Sequence, residues 1–510
     1  MTAVGPLPIA LAVLAGAASV FGFAPFGAAL LPVVTLALLI VLWQRAATPR
    51  AAAIVGFAFG LGLFGAGVSW VYIALNTFGG MPHPLAAIAT AGFCAFLSLY
   101  PALAGWLAAR STTPGSAARA VAAAAFWTLA EWARSWVFTG FPWLSLGHSQ
   151  LPGDGATPLA AFAAVGGVFL VTLTLAGCAA LLATGMAAVA TGERPARVAA
   201  LALAIAAIVG GGAGLGRIEW TRPVGAPVAV SLLQGNVAQD RKFAPDFRQN
   251  TFDMYAELVG ASRGRLVVLP ESAFPVFASE VPEAVLRALW RAAAARDGDV
   301  IVGLFTVDPA LPGRDDPRFY NSAVSLGAST TQMYRKRHLV PFGETIPLEP
   351  VLGWLINGIL SIPLSSQTPG APDQPPLAVA GQRVAVNICY EDAFGADIRS
   401  QAATATLLVN ITNDAWYGRS LAAEQHNQIA AMRALETGRP LLRATNTGIT
   451  SAIGHDGREL ARLPWFTRGI LEVEVAGREG VTPYVRWGDA VAVVAALALL
   501  LSAIALARRR

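Results

Sequence analysis

Three residue types could together perform nucleophilic acyl chemistry: Glu271 and Cys389, just beyond the apolar runs RLVVLP and RVAVNI, and Lys336 within YRKRHLVPFGE. A thiol of ordinary pKa is mostly protonated at neutral pH. A carboxylate must therefore take its proton, and a fixed cation must steady the oxyanion formed when a carbonyl is attacked. The other two cysteines, Cys94 and Cys178, lie inside long hydrophobic runs, where a thiol behaves as a small apolar side chain. Cys389 has no cysteine in the polar region with which to form a disulfide or a Cys-based zinc site. That leaves a nucleophile or a buried strand-end residue, with no metal or cofactor expected. Of 36 lysines and arginines only Lys242 and Lys336 are lysine. A lysine retained among so many arginines points to a compact ammonium rather than a planar fork. Lys336 is the lysine so read, whereas Lys242 is expected to tolerate arginine.

The elements that must position these groups fall between about 226 and 477, where strand and helix patterns alternate with ordinary polarity. Strand-like runs cover 228–234, 265–270, 299–305, 321–327, 383–389, 406–412, 440–445 and 448–454, with helical periods over 247–263, 281–297 and 420–438. Asp456-Gly457 is a hairpin turn signal, because that pair accepts the positive φ such turns require. This is a mixed α/β domain with one core of its own. Polar residues placed at strand ends can converge on one rim.

The remainder of the chain has a different character. The chain is 55% hydrophobic and 13% charged, against about 25% charged in soluble proteins, so much of it belongs in lipid. Apolar runs long enough to cross a bilayer lie near 7–24, 28–44, 53–76, 85–109, 118–138, 158–184 and 196–215, with an eighth at 487–507. No charge precedes Arg45, so the first run reads as a retained anchor and not a cleaved signal. Arginines occupy every second connection (Arg45 and Arg50, Arg110 and Arg119, Arg194 and Arg197, Arg508 to Arg510), and the intervening loops have none. This alternation places both termini in the cytoplasm and the α/β domain on the opposite, periplasmic side of an inner membrane. The expected division is therefore a transmembrane region over 1–220, a catalytic domain over 226–477, and a last transmembrane helix with a basic tail over 486–510. The net charge of +5 does not indicate nucleic acid, because the arginines are scattered in short loops. Glu131 and Arg134, at helical spacing before a Trp-rich turn, read as a structural pair or as the wall of a polar groove.

LPESAFP, YRKRHLVPFGE and NICYED together resemble, in order and context, the Glu-Lys-Cys triad of the nitrilase superfamily of carbon-nitrogen hydrolases. With the flanking spans and NDAWYG, the whole chain resembles the bacterial apolipoprotein N-acyltransferases. The resemblance implies a polytopic α-helical membrane protein carrying an inserted periplasmic αββα nitrilase-like domain. It implies acyl transfer from a phospholipid, typically phosphatidylethanolamine, through a thioester on Cys389 to the α-amino group of a diacylglyceryl-cysteine apolipoprotein. Glu271 would be the base and Lys336 the oxyanion partner. Glu344 and Glu391 would orient the lysine or the incoming amine, and Tyr390 would support the pocket. Phe342, Trp416, Tyr417, Phe243 and Trp354 would face substrate; Phe243 stands where relatives often carry tryptophan. The apolar stretch 351–364 is too short to span and reads as an interfacial arm that could exclude water from the thioester. The alternative is a membrane-anchored amidase using the same triad on a small amide, which would need one anchor rather than eight spans.

Overall fold

The continuous apolar runs after residue 220 become strands buried on both faces, as parallel strands covered by helices must be. In chain order they are β1 Thr221–Pro223, β2 Val228–Gln234, β3 Leu266–Val268, β4 Asp299–Asp308, β5 Arg318–Gly327, β6 Met333–Arg335, β7 Leu377–Val379, β8 Gln382–Ile388, β9 Leu407–Thr412, β10 Leu441–Thr445, β11 Ser451–Ile453, β12 Glu459–Arg462, β13 Gly469–Val475 and β14 Arg478–Gly480. The computed structural model describes residues 5–153, 155–309, 317–345 and 367–508. Among these residues the strands form two six-stranded sheets, ordered β13-β2-β3-β4-β5-β6 and β12-β11-β10-β9-β8-β7, while β1 and β14 pair separately. Each sheet is built around three parallel strands: β2, β3 and β4 in one, and β8, β9 and β10 in the other.

Alternation along the strands divides their side chains between two cores. Val230, Leu232, Val268 and Ile301 meet Val386, Ile388, Val409, Ile411 and Leu442 between the sheets. On the outer face of the first sheet, Val267, Val300 and Val302 pack with Phe252, Tyr255, Leu258 and Leu289 of helices Arg248–Ala261 and Glu283–Ala294. Helices Gly395–Ala402 and Ala422–Thr437 make the equivalent crossovers of the second sheet. The result is an αββα sandwich, and truncating one of its fully buried aliphatics, such as Ile388, should cost about 2–5 kcal/mol.

Several strands lie outside the sequence expectation for local reasons. The β7–β8 hairpin turns at Ala380 and Gly381, with φ of +49° and +74°, using an Ala-Gly pair in place of the Asn-Gly or Asp-Gly that announces such a turn. Strand β6 has only three residues, and β13 is a half-exposed edge paired antiparallel with β2. The Asp456-Gly457 turn does join β11 to β12.

The chain separates into two compact units, one of Met1–Val71, Ala87–Glu219 and Thr482–Arg510, the other of Tyr72–Ala86 and Trp220–Val481. Helices occur in all eight apolar runs, but among the described residues five are long and apolar enough to cross a membrane: Pro49–Gly67, His83–Ser111, Pro158–Ala190, Pro195–Leu215 and Ala490–Arg508. Pro6–Gly22 and Leu31–Arg45 are shorter, and Ala117–Arg134 carries Arg119, Glu131 and Arg134. The run read as 53–76 breaks after Gly67, where the Trp70 indole donates to the Gly67 carbonyl, and the chain from Tyr72 joins the unit that contains the sandwich. Within the helical unit, helices Pro6–Ser19 and Pro49–Gly67 touch backbone to backbone, since a Cβ at Gly16 or Gly62 would collide with a carbonyl of the other helix. Glu131 and Arg134 take the structural role. Glu131 accepts from Trp127, Thr172 and the Leu146 amide, and Arg134 donates to the Phe141 and Trp143 carbonyls, so both secure the loop that follows their helix.

Candidate active site

Cys389, Glu271 and Lys336 stand at or just past the carboxyl ends of β8, β3 and β6, the edge at which α/β sheets gather ligands. Cys389 opens a short 3-10 turn, Cys389–Ala393, and has φ of +54°. An L-residue held in that region costs about 1 kcal/mol or more, so the sandwich fixes the thiol in a strained elbow. Its carbonyl accepts from Asn410 Nδ2 at 3.2 Å, and Asn410 also donates to Asn387, its register partner on β8.

Lys336 is buried and bridges two carboxylates. Its Nζ donates to Glu344 Oε1 at 2.8 Å and to Glu271 Oε1 at 3.3 Å, and Asn321 Nδ2 donates to the same two oxygens at 3.3 and 2.8 Å. The second oxygen of Glu344 accepts the Val340 amide at 2.9 Å. Among the described residues no donor reaches Glu271 Oε2. Among these residues Glu344 is thus tied at both oxygens, whereas Glu271 is tied at one and has the other open to a proton. Burial opposes the charge of Lys336, but Glu344 and Glu271 outweigh it and hold the ammonium well above its ordinary range. Burial first, and then the Glu271 and Asp414 charges, push the Cys389 thiol well up against the pull of Lys336. A thiol held protonated in this way needs its proton removed as it attacks.

Glu391 bears on the lysine through the main chain that carries it. Its Oε1 accepts from the Tyr334 hydroxyl at 2.9 Å and from the Arg337 and His338 amides at 2.7 and 3.1 Å, and its Oε2 accepts from the Ile388 amide at 2.7 Å. One carboxylate therefore fastens the segment carrying Lys336 to the strand end carrying Cys389. Tyr390 packs edge-on to Phe394, which stacks on His338 with ring centroids 3.6 Å apart. Tyr417 lies near enough to Cys389 that burial, followed by the Cys389 and Asp414 charges, keeps its hydroxyl protonated. Trp416 meets Phe78 edge-on. Phe342, 44% exposed with φ of +63°, projects from a tight turn closed by its amide on the Thr345 carbonyl. Phe243 is half-buried at the end of the short helix Gln239–Lys242. Trp354 and the stretch 351–364 lie outside the described residues.

Two further features have no counterpart in the sequence reading. Lys242, far from incidental, is buried with its Nζ 3.0 Å from the Glu271 carbonyl oxygen. Behind the elbow lies a closed ionic group. His426 Nδ1 is 2.8 Å from Asp414 Oδ1, and its Nε2 is 2.7 Å from Asp392 Oδ1 and 3.3 Å from the Cys389 carbonyl. Arg443 donates to the remaining oxygens of both aspartates at 2.8 and 3.0 Å. Burial and Arg443 oppose a charge on His426, but Asp392 and Asp414 prevail and lift its pKa to about 9. The sequence signal was a helix, Ala422–Thr437, whose polar side chains Gln425, His426, Asn427, Gln428, Arg433 and Glu436 are all buried. No set of three His, Cys, Asp or Glu side chains among the described residues could hold a metal.

Residues 15–181 match the apolipoprotein N-acyltransferase N-terminal domain, and residues 230–484 match the carbon-nitrogen hydrolase domain. The chain is 49% identical over 492 residues to an apolipoprotein N-acyltransferase of Nitrosomonas europaea, covering 96% of both chains. It is 43% identical to one of Methylococcus capsulatus, over 94% of this chain and 92% of the relative.

The chain belongs to the apolipoprotein N-acyltransferase family.

It is accordingly an enzyme of the acyltransferase class, embedded in a membrane and built on a nitrilase-like domain. Among solved structures it is similar to the NitFhit protein of C. elegans, at 14% identity and a TM-score of 0.37 over 51% of this chain and 62% of that one. It is also similar to an amidase of Nesterenkonia AN1, at 19% identity and a TM-score of 0.34 over 50% and 92%. The strand order and the two cores above describe the fold without them. Within an acyltransferase family, the asymmetry between Glu271 and Glu344 acquires a chemical meaning.

Proposed function

We propose that this protein transfers a fatty acyl group from a membrane phospholipid, phosphatidylethanolamine being the expected donor, to the N-terminal amine of a diacylglyceryl-cysteine apolipoprotein. In the first half-reaction Cys389 Sγ attacks the ester carbonyl carbon. Glu271 takes the thiol proton on Oε2 and delivers it to the departing glycerol oxygen, so that the C–O bond breaks, the thioester forms and a lysophospholipid leaves. In the second half-reaction the acceptor amine attacks the thioester carbonyl, and Glu271 takes the amine proton and returns it to the departing thiolate. In both, the Lys336 ammonium stands against the oxyanion. Glu344 holds the lysine, Glu391 fixes its distance from the elbow, and Tyr390, Tyr417, Trp416, Phe342 and Phe243 line the approach of the acyl chain.

The observation that carries this reading is a buried lysine shared by two carboxylates, of which, among the described residues, only Glu271 keeps an oxygen unoccupied. The test is to incubate purified protein with phospholipid labelled in its acyl chain and look for label on Cys389, then add a diacylglyceryl peptide and follow label into its amide. A small-amide hydrolase would leave Cys389 unlabelled and release no acyl peptide.

The arginine alternation supports a catalytic domain in the periplasm with both termini in the cytoplasm, divided at 1–220, 226–477 and 486–510. The native cysteines are all buried, so Thr330→Cys, at an exposed site on the domain, should react with an impermeant maleimide in intact spheroplasts. Labelling only after lysis would reverse the topology.

A further inference from the structure

Both lysines of the chain end on the same residue. Lys336 holds the Glu271 carboxylate, and Lys242 holds the Glu271 main chain. The turn that bears Glu271 is strained, with φ of +47° at Ser272. Three of its amides are paired internally or to β4: the Leu269 amide to the Ile301 carbonyl, the Ala273 amide to the Pro270 carbonyl, and the Phe274 amide to the Gly303 carbonyl. Behind it Gly303 leaves no room, since a Cβ there would collide with the Pro270 carbonyl and the Ser272 amide. Among the described residues the Glu271 carbonyl has one donor, the Lys242 ammonium. That ammonium is itself delivered from a firm base. Asn446 exchanges hydrogen bonds with both backbone groups of Val237, Asn413 donates to Gln239, and the Lys242 amide closes the turn on the Ala238 carbonyl.

We propose that Lys242 is a positioning residue for Glu271: its ammonium clamps the carbonyl of the base-bearing turn, holds the carboxylate in register with the Cys389 thiol, and brings a second positive charge to that side of the site. The inference rests on the reading of Glu271 as the base. An arginine would bring a larger planar fork into a site where one point donor meets one carbonyl, so on this proposal Lys242→Arg should not be tolerated. The titratable groups that bear on Lys242 are Glu271 and Cys389, while Asp240 and Arg241 of its own turn are exposed. Burial draws its pKa down to about 8 against the pull of Glu271 and Cys389, so its charge is lost within the range in which acylation can be followed.

The experiment compares single-turnover acylation of Cys389 by labelled phospholipid in the full-length wild type and Lys242→Met, from about pH 6 to about pH 9.5. Absence of acyl-Cys389 in the wild type would count against the proposed reaction itself. With wild-type acylation in hand, Lys242→Met should be slower by about 10- to 100-fold, the scale for losing a group that orients a reacting residue. Its KM for phospholipid should be little changed, and its pH–rate profile should lack the inflection near pH 8 that the wild type shows. Wild-type rates in Lys242→Met overturn the inference, as does a proportional loss at every pH with the inflection intact, which would mark a purely structural role. A wild-type profile without an inflection near pH 8 overturns it even where the variant fails to fold.

Discussion

Two buried ionic clusters flank the Cys389 elbow, and they are built from the same ingredients to opposite ends. Around His426 each aspartate has one oxygen on the histidine and the other on Arg443, so two cations and two anions close on themselves. Around Lys336 the cation is also shared by two carboxylates, yet Glu271 Oε2 is left without a donor among the described residues. Burial makes charge expensive in both places. Where every carboxylate oxygen is paired the cluster acts as a fastening, and where one is left without a donor it has a proton site. The contrast predicts that substitutions at the Lys336 cluster will cut rate while sparing stability, and that those at the His426 cluster will do the reverse.

The most severe test is Cys389→Ala, expected to bring both acyl-enzyme and transferred label to background, with Cys389→Ser leaving only traces. Cys94→Ala and Cys178→Ala should retain activity. Substantial transfer by Cys389→Ala would remove the covalent mechanism. Glu271→Gln keeps the shape and the tie to Lys336 but cannot accept a proton, and should lose about 10²–10⁴-fold in single-turnover acylation with an unchanged melting temperature. A comparable loss in stability would mean that Glu271 belongs with the fastenings. Lys336→Arg, measured at matched membrane expression, should lose about 100-fold, the scale for misplacing one oxyanion donor; near-normal acylation would demote Lys336 to a general electrostatic role.

The closed cluster is probed by stability. Arg443→Met strips one partner from two buried aspartates and should cost about 3–5 kcal/mol in denaturant unfolding. A loss below about 1 kcal/mol would show the cluster to be dispensable. The smallest effect is a pH slope. The folded pKa of His426, about 9, lies above the ordinary value of about 6.5 expected in the unfolded chain. Its contribution is therefore whole below about pH 6.5 and is lost as pH rises toward and through about 9. The melting temperature should fall across that window in the wild type, and His426→Gln should remove this contribution to the slope.

The three site residues at strand ends were legible because β3, β6 and β8 deliver them directly, and because a lone polar-region cysteine and a rare lysine are conspicuous in this composition. The part played by Glu391 was legible only in outline. The resemblance implied that it orients the lysine or the amine, and only the structure reveals that its carboxylate faces the Arg337, His338 and Ile388 amides. The contact of Lys242 with the Glu271 carbonyl was hidden for a related reason. Composition marked both lysines equally, but nothing local to QDRKF reports that its turn is anchored by Asn413 and Asn446, more than 170 residues away in sequence. His426 was hidden because a buried polar helix face has the periodicity of a solvated one, and Arg443 because a charge inside the short strand LLRAT does not report what it pairs with. In the helical unit, hydropathy located all eight helices but overran Gly67, since an apolar window does not register a break made by a tryptophan hydrogen bond.

Because a single carboxylate, Glu391, collects donors from both strand ends, the spacing between Lys336 and the thiol does not depend on how the inter-sheet aliphatics happen to pack. Mutational drift in that core can then be absorbed as small shifts of the sheets, with the pair moving as one piece. A shorter acid at 391 would transmit such shifts directly to the reaction. The same core substitution that is silent in the native background should become visible in Glu391→Asp, so this one side chain sets how much variation the rest of the sandwich can carry without loss of catalysis.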